Sequence, residues 1–182
     1  MQEGKRMNNR NVKDLYKAWT EDLIREDLKK RSFNFAVLME NFVGDFNIGS
    51  VLRSCNAFGG KEMYYYGRRH YDRRGTVGTH HYTSMVHVPT REALLELKNQ
   101  YTFVALENTV AGAQPIYDFE WADNPLIIVG EEGVGITNDM LELCDKFVYI
   151  PQYGSVRSLN AAVASSIAMN DFVMKTVAKE IK

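Results

Sequence analysis

The chain has 182 residues, 45% of them hydrophobic and 25% charged, the proportions of one ordinary globular domain. This composition excludes a disordered, fibrous or disulfide-stapled chain, and a domain of this size buries roughly 70% of its unfolded surface without staples. The two cysteines, Cys55 and Cys144, stand outside any C-x-x-C pair, which suits a reducing compartment. No apolar run reaches the ~18 residues of a membrane span, and the start of the chain holds no apolar signal core. A cytoplasmic protein, away from membranes, is therefore expected. The net charge of −1 conceals an uneven distribution. Residues 1–31 carry nine Lys/Arg against six Asp/Glu, and residues 61–91 carry six against two together with all four histidines. Residues 101–150 reverse the sign, with nine carboxylates against Lys146 alone. A polyanion would meet the first half of the chain, although like charges also gather on solvated faces that bind nothing.

Residues 1–11 are polar and read as loose. Residues 12–30 place Leu15, Trp19, Leu23, Ile24 and Leu28 at helical spacing, with Glu21 and Arg25 paired on the charged face, and read as one amphipathic helix. Residues 1–31 are thus expected to form an N-terminal helical extension to a domain at 32–182. FAVLM (35–39) is a short apolar strand. Asn47 is expected to cap the helix IGSVLRSCNAF, which Gly59 and Gly60 close. EMYYYG (62–67) is a β-rich run, residues 68–84 form a long Gly/Arg/His-rich loop, and MVHV (85–88) precedes a helix capped by Thr90. TFVAL (102–106), LIIVG (126–130) and FVYI (147–150) are further strands. A short helix is expected near 138–144 and a last one from Ser158 to about 177. Wholly apolar strands alternating with helices predict an α/β fold: a mostly parallel sheet covered by helices on both faces. Ligands of such sheets sit beyond the carboxyl ends of the strands, where the polar clusters of this chain fall.

Three of those clusters carry chemistry. In NFVGDFNIGSVLRSCNAFG (41–59), Gly49 lets the helix backbone approach another segment closely, and Arg53 opposes the dipole of a helix that is otherwise apolar or small. Such an arginine either pairs with a surface carboxylate or holds a phosphate or a reacting hydroxyl. LIIVGEEGVGIT (126–137) spaces its glycines as G-x-x-G-x-G, which is neither the dinucleotide fingerprint nor a P-loop. Its paired Glu131 and Glu132 would repel a pyrophosphate and suit a neutral or cationic ligand. In FVYIPQYGSVRSLNAAVASSIAMND (147–171), Ser158 stands at the N-cap position, Asn160 at the mouth of the helix, and the helix is built of small residues that permit close packing on another segment or subunit.

In this order the three clusters resemble the SpoU (TrmH-like) family of S-adenosylmethionine-dependent RNA ribose 2′-O-methyltransferases, over roughly residues 34–175. The first resembles that family's N-x-G-x-x-x-R motif with a following Phe-Gly, here Asn47, Gly49, Arg53, Phe58 and Gly59. The second resembles G-x-E-x-x-G, here Gly130, Glu132 and Gly135. The third resembles I-P-x-x-G followed by S-L-N, here Ile150, Pro151, Gly154, Ser158, Leu159 and Asn160. The chain departs from the family pattern at Gly44-Asp45, where Asp-Pro is usual, at Gln152 in place of Met, and at Ala161 in place of Val. Residues 68–82 also replace a loop of small residues.

The resemblance implies an α/β fold with a C-terminal deep trefoil knot, a homodimer with its site at the subunit interface, and S-adenosylmethionine as cofactor. It implies that Arg53 orients and activates the 2′-hydroxyl, with Asn47, Glu132, Ser158 and Asn160 holding Arg53 and the substrate. A guanidinium stays protonated, so orientation suits Arg53 better than general base catalysis. Cofactor contacts are implied at Leu106, Gly130, Ile150 and Leu159, mainly through backbone. RNA contact is expected from Arg68, Arg69, Arg73, Arg74, His80, His81 and Tyr82 together with the basic N-terminal helix, unless that loop only covers the site. No Cys or carboxylate set completes a metal site around the histidines, so no metal is expected. Larger relatives carry an extra RNA-binding domain where this chain shows a helix, which favours tRNA over rRNA. The competing readings are a catalytically inactive RNA-binding protein of the same fold and a dinucleotide-dependent oxidoreductase. The glycine order counts against the second.

Overall fold

The computed structural model describes residues 10–42 and 46–180. Most of the loose N-terminus (1–9) and the Gly44-Asp45 departure lie outside them. In chain order the elements are α1 (Glu21–Lys30), β1 (Phe33–Asn41), α2 (Asn47–Ala57), β2 (Gly60–Gly67), β3 (Met85–Val88), α3 (Arg91–Leu97), β4 (Thr102–Leu106), β5 (Gln114–Pro115), β6 (Pro125–Val129), α4 (Asn138–Leu141), β7 (Lys146–Tyr149) and α5 (Ala161–Glu180). The strands pair in the order β3-β2-β1-β6-β4-β7-β5, and every neighbouring pair is parallel.

The run FAVLM is continuously apolar because both faces of β1 are covered. Phe35, Val37 and Met39 pack with Ile48, Val51 and Leu52 of α2 and with Ala168, Met169 and Phe172 of α5. Ala36 and Leu38 point the other way, toward Leu94 and Leu97 of α3 and Met140 of α4. Each large side chain among them contributes about 1.5–3 kcal/mol through burial. The small residues of α5 bring it against α2 of the same chain, where the Ser166 hydroxyl donates to Ser54 Oγ at 2.8 Å. Among the described residues, no helix is long and apolar enough to cross a membrane.

Two expected elements form differently. Residues 12–30 are not one helix. A 3₁₀ turn at Asp14–Tyr16 stops, and α1 starts afresh at Glu21 with Thr20 Oγ1 accepting from Leu23 N at 3.3 Å. Arg10 Nη2 ends the first turn by donating to the carbonyls of Tyr16, Lys17 and Trp19 at 3.1, 2.6 and 3.0 Å. Leu15 and Leu23 are consequently exposed, while Tyr16 and Ile24 pack with Tyr82 in a small cluster of their own. Likewise α5 starts at Ala161 and Ser158 does not cap it. Asn160 does, with Oδ1 accepting from the backbone N–H groups of Ala162 and Val163 at 3.0 and 3.3 Å.

Candidate active site

Parallel pairing brings the carboxyl ends of β1, β6, β4 and β7 side by side on one edge. Leu106 ends β4, Gly130 follows β6 and Ile150 follows β7, so these candidate cofactor contacts share that edge. Leu159 lies further on, half-buried, in the segment leading to α5. That segment is tied back to the loop after β4 by Asn108 Nδ2, which donates to the Arg157 carbonyl at 3.0 Å.

The loop after β6 turns back on itself, with Gly135 N donating to the Glu131 carbonyl at 2.9 Å. A Cβ at position 130 would lie 2.0 Å from the Gly135 carbonyl carbon, so only glycine closes this turn. Three carboxylates then fasten the loop in different directions. Glu131, buried, accepts from Phe42 N at 2.7 Å. Glu40, fully buried at the end of β1, accepts from Thr137 N at 2.8 Å and from the Thr137 hydroxyl at 2.6 Å. Burial pushes the Glu40 carboxyl above the usual carboxylate range, against the pull of the two Thr137 bonds and with the help of Glu131 nearby. Glu132 faces outward and accepts from Asn47 Nδ2 at 3.0 Å and Asn160 Nδ2 at 3.4 Å. Asn160 Nδ2 also donates to Asn47 Oδ1 at 3.0 Å.

The Asn47–Glu132–Asn160 triangle therefore joins all three sequence clusters. Asn47 is the first residue of α2 and not its cap, and its amide reaches across to Glu132 and Asn160. The expectation that these residues hold Arg53 does not extend to the geometry of the single chain. Arg53 is exposed on α2 and makes no hydrogen bond or ion pair among the described residues. Its position in the helix explains this: six residues from Asn47, it lies roughly 120° around the helix from the triangle. Ser158 is likewise exposed and outside the network.

Residues 68–82 fold over α2 rather than standing free. Gly75 is held against the first turn of α2, where a Cβ on Gly49 would lie 2.6 Å from the Gly75 carbonyl carbon. This is the close approach that Gly49 serves. Asn41 Nδ2 anchors the start of the loop by donating to the carbonyls of Arg68 and His70 at 2.7 and 3.1 Å. Arg68, Arg69, Arg73, Arg74 and His81 lie at the surface of this loop, wholly or partly exposed. His80 is half-buried with Nδ1 at 2.7 Å from Thr76 Oγ1, and burial lowers its pKa. Tyr82 is buried against Tyr16 and Ile24, so its ring presents no stacking face. Arg25 Nε donates to the His81 carbonyl at 2.7 Å, which docks α1 on this loop.

Sequence reasoning passed over Glu40, Asn41 and Thr137. Their signal was present: a carboxylate and an amide closing an otherwise apolar strand, FAVLMEN, at the ligand edge of the sheet. Neither thiol offers a nucleophile, since burial pushes both Cys55 and Cys144 up to about 12. Among the described residues, no three His, Cys, Asp or Glu side chains gather as a metal site. One buried acceptor is left over: Gln152 Oε1, between Ile150 and Leu159 in sequence, has no hydrogen-bond partner among the described residues. An orphaned acceptor beside backbone contacts fits a bound molecule that carries a donor.

The chain is 28% identical over 151 residues to the tRNA (guanosine(18)-2′-O)-methyltransferase of Aquifex aeolicus, covering 80% of this chain and 72% of that one. The fold is similar to the crystal structure of the A. aeolicus TrmH/SpoU tRNA modifying enzyme, with a TM-score of 0.75, 26% identity, and 88% of this chain and 84% of that chain covered. It is similar also to the SpoU methyltransferase AviRb from Streptomyces viridochromogenes in complex with AdoMet, with a TM-score of 0.71, 26% identity, and 87% and 63% covered. The chain thus spans less than two thirds of some of the proteins it matches. The model of the SpoU rRNA Methylase family matches residues 34–170, most of the chain and all three clusters. The chain belongs to the SpoU rRNA Methylase family.

Proposed function

We propose that this chain is an S-adenosylmethionine-dependent methyltransferase that methylates a ribose 2′-hydroxyl in RNA. The observation that carries the reading is the Asn47–Glu132–Asn160 triangle beside the strand ends at Leu106, Gly130 and Ile150. The cofactor would be held by backbone at Gly130 and Ile150 and by the side chains of Leu106 and Leu159, with Gln152 Oε1 available to a donor. Bound there, S-adenosylmethionine supplies a methyl group on a positively charged sulfur, and the sulfur leaves as a neutral thioether when the ribose oxygen takes the methyl. The chain's own residues bind and orient. Glu132 and the two asparagines fix the mouth of α2 against the head of α5. Arg53 donates hydrogen bonds to the ribose oxygen or its flanking phosphate, and the 2′-proton passes to solvent.

Arg53 is free to act across a subunit boundary. The groove between α2 and α5, about 590 Å³, is lined by Ser54, Phe58, Val163 and Ile167 among others, and Val163, Ile167 and Met174 expose one stripe of α5. A homodimer packed on this stripe sets the exposed Arg53 beside the partner subunit, in keeping with an interfacial site. Sedimentation of the wild type and of Ile167→Asp tests it: a wild-type dimer that becomes a monomer in the variant supports the arrangement, and a wild-type monomer opposes it. Residues 1–31 serve as an extension to the methyltransferase domain at 32–182, and a C-terminal deep trefoil knot goes with family membership. tRNA ranks ahead of rRNA because the A. aeolicus relative is named for tRNA. A cytoplasmic location suits that substrate and two free thiols.

The experiment that tests this reading is methyl transfer from labelled S-adenosylmethionine to bulk tRNA and, separately, to rRNA. A 2′-O-methylated nucleoside in the product is expected. The inactive RNA-binding protein is the outcome if RNA is bound and no label transferred by the wild type.

A further inference from the structure

We propose that Phe46 and Arg74 form a stacking platform for an unpaired base lying within one nucleotide of the ribose that is methylated. This rests on the RNA reading above and adds a residue that none of the motifs contains.

Phe46 occupies the cap position of α2 in helical conformation, with φ −66° and ψ −23°. It makes no capping bond, and the residue is 65% exposed, which leaves ring surface open to a partner. One side of the ring is already covered: the Arg74 guanidinium carbon sits 5.3 Å from its centroid. Arg74 is exposed at the surface but paired. Its Nε and Nη2 donate to Asp72 at 2.9 and 2.6 Å, and its backbone N–H donates to Asp72 Oδ1 at 2.8 Å. The Arg74 guanidinium in turn holds the Asp72 carboxyl below the usual range. The turn carrying Arg74 is locked on α2 by the Gly49–Gly75 approach. The backbone therefore brings Arg74 beside the ring, and the pair with Asp72 holds its guanidinium there.

Position selects the occupant. Phe46, Ser50, Arg53 and Ala57 are spaced i, i+4, i+7 and i+11, one face of α2, so Phe46 and the candidate catalytic Arg53 look in the same direction about 10 Å apart along the axis. A ribose at Arg53 leaves its own or a neighbouring base within reach of the ring. The surroundings are cationic, with Arg68, Arg69 and Arg73 at the surface of the same loop, which favours a polyanion over an apolar protein surface. Pairing with Asp72 offsets the charge of Arg74, which leaves it suited to stacking, while its neighbours meet phosphates. An aromatic ring backed by a guanidinium is how single-stranded bases are held without reading their edges.

Two measurements test this. In steady-state transfer to bulk tRNA, Phe46→Ala is expected to raise KM for RNA about tenfold, with cofactor affinity unchanged and Phe46→Tyr restoring KM. In a binding experiment without turnover, Phe46→Trp is titrated with a single-stranded hexa-adenylate and with an abasic strand of equal length. Fluorescence quenching by the first and not the second is expected. A KM within twofold of wild type, or equal quenching by both strands, overturns the platform. So does a Phe46→Ala chain whose sedimentation shifts, since the ring is then a contact between copies. Wild-type protein that methylates no RNA overturns the function proposed above, and the quenching experiment still decides the platform independently.

Discussion

Asn160 does two jobs that chemistry can separate. Its Oδ1 caps α5 through the N–H groups of Ala162 and Val163, and its Nδ2 donates to Asn47 and Glu132. Asn160→Ala removes both. Loss of a cap costs about 1 kcal/mol, which in a chain of this size lowers Tm by about 2–4 °C. Asn160→Asp keeps an acceptor for both N–H groups and adds a favourable charge at the helix start, worth about 0.3–1 kcal/mol. It also abolishes both donations and sets a carboxylate about 3.4 Å from Glu132 Oε2. That repulsion is about 1 kcal/mol at the dielectric of water and is screened by salt. Thermal unfolding at low salt and at high salt, alongside methyl transfer, reads the two jobs apart. The alanine variant is expected to lose the same few degrees at both salt concentrations. The aspartate variant is expected to lie near wild type and to approach it further in high salt. Both are expected to lose most transfer activity. An aspartate variant with wild-type turnover, or one as unstable as alanine at high salt, would refute the division of labour.

Other expectations follow from the same geometry. Arg53→Ala is expected to abolish methyl transfer while cofactor affinity, measured by calorimetry, stays within twofold; undiminished turnover would remove Arg53 from the chemistry. Arg73→Ala combined with Arg74→Ala is expected to weaken RNA binding and to flatten the slope of log K against log salt by about 0.7–0.9 for each phosphate no longer neutralised. An unchanged slope would take that loop off the RNA surface. Burial raises the Glu40 carboxyl pKa, so the native chain holds that proton more tightly than the unfolded one, and Glu40 costs stability as pH climbs through its unfolded value toward its folded one. Glu40→Gln, which keeps partners for Thr137 N and, with the hydroxyl reversed, for its Oγ1, is expected to gain in Tm relative to wild type across that window. Parallel Tm curves between pH 4 and 8 would contradict the assignment.

The sheet was legible because wholly apolar strands such as FAVLM and LIIV leave no alternative to burial on both faces. β4 falls on the residues expected from TFVAL, and β3 on those expected from MVHV. The N-terminal region misled because helical spacing is blind to Thr20, whose hydroxyl starts a new helix, and to Arg10, which closes the turn before it. Ser158 and Asn160 are both good caps on paper; what decides between them is where the chain leaves the sheet edge and turns into α5. Of the site, the residue types were legible and their grouping only partly so. Asn47, Glu132 and Asn160 meet, whereas the helical phase of Arg53 turns it away from them. Tyr82 read as a stacking residue because the sequence around it is basic, and only the docking of α1 shows that its ring is taken up by packing. Glu40 was passed over because a carboxylate at the end of a strand looks solvated until Thr137 is seen to cover it.

The claim on which the rest depends is that this triangle and these strand ends serve methyl transfer to RNA. Labelled S-adenosylmethionine, the wild-type chain and unmodified tRNA in one reaction, followed by nucleoside mass spectrometry, address it directly. The account predicts a 2′-O-methylated nucleoside that disappears with Arg53→Ala. A methyl group found on a base, or no transfer to tRNA or rRNA by a chain that binds both RNA and cofactor, would contradict it.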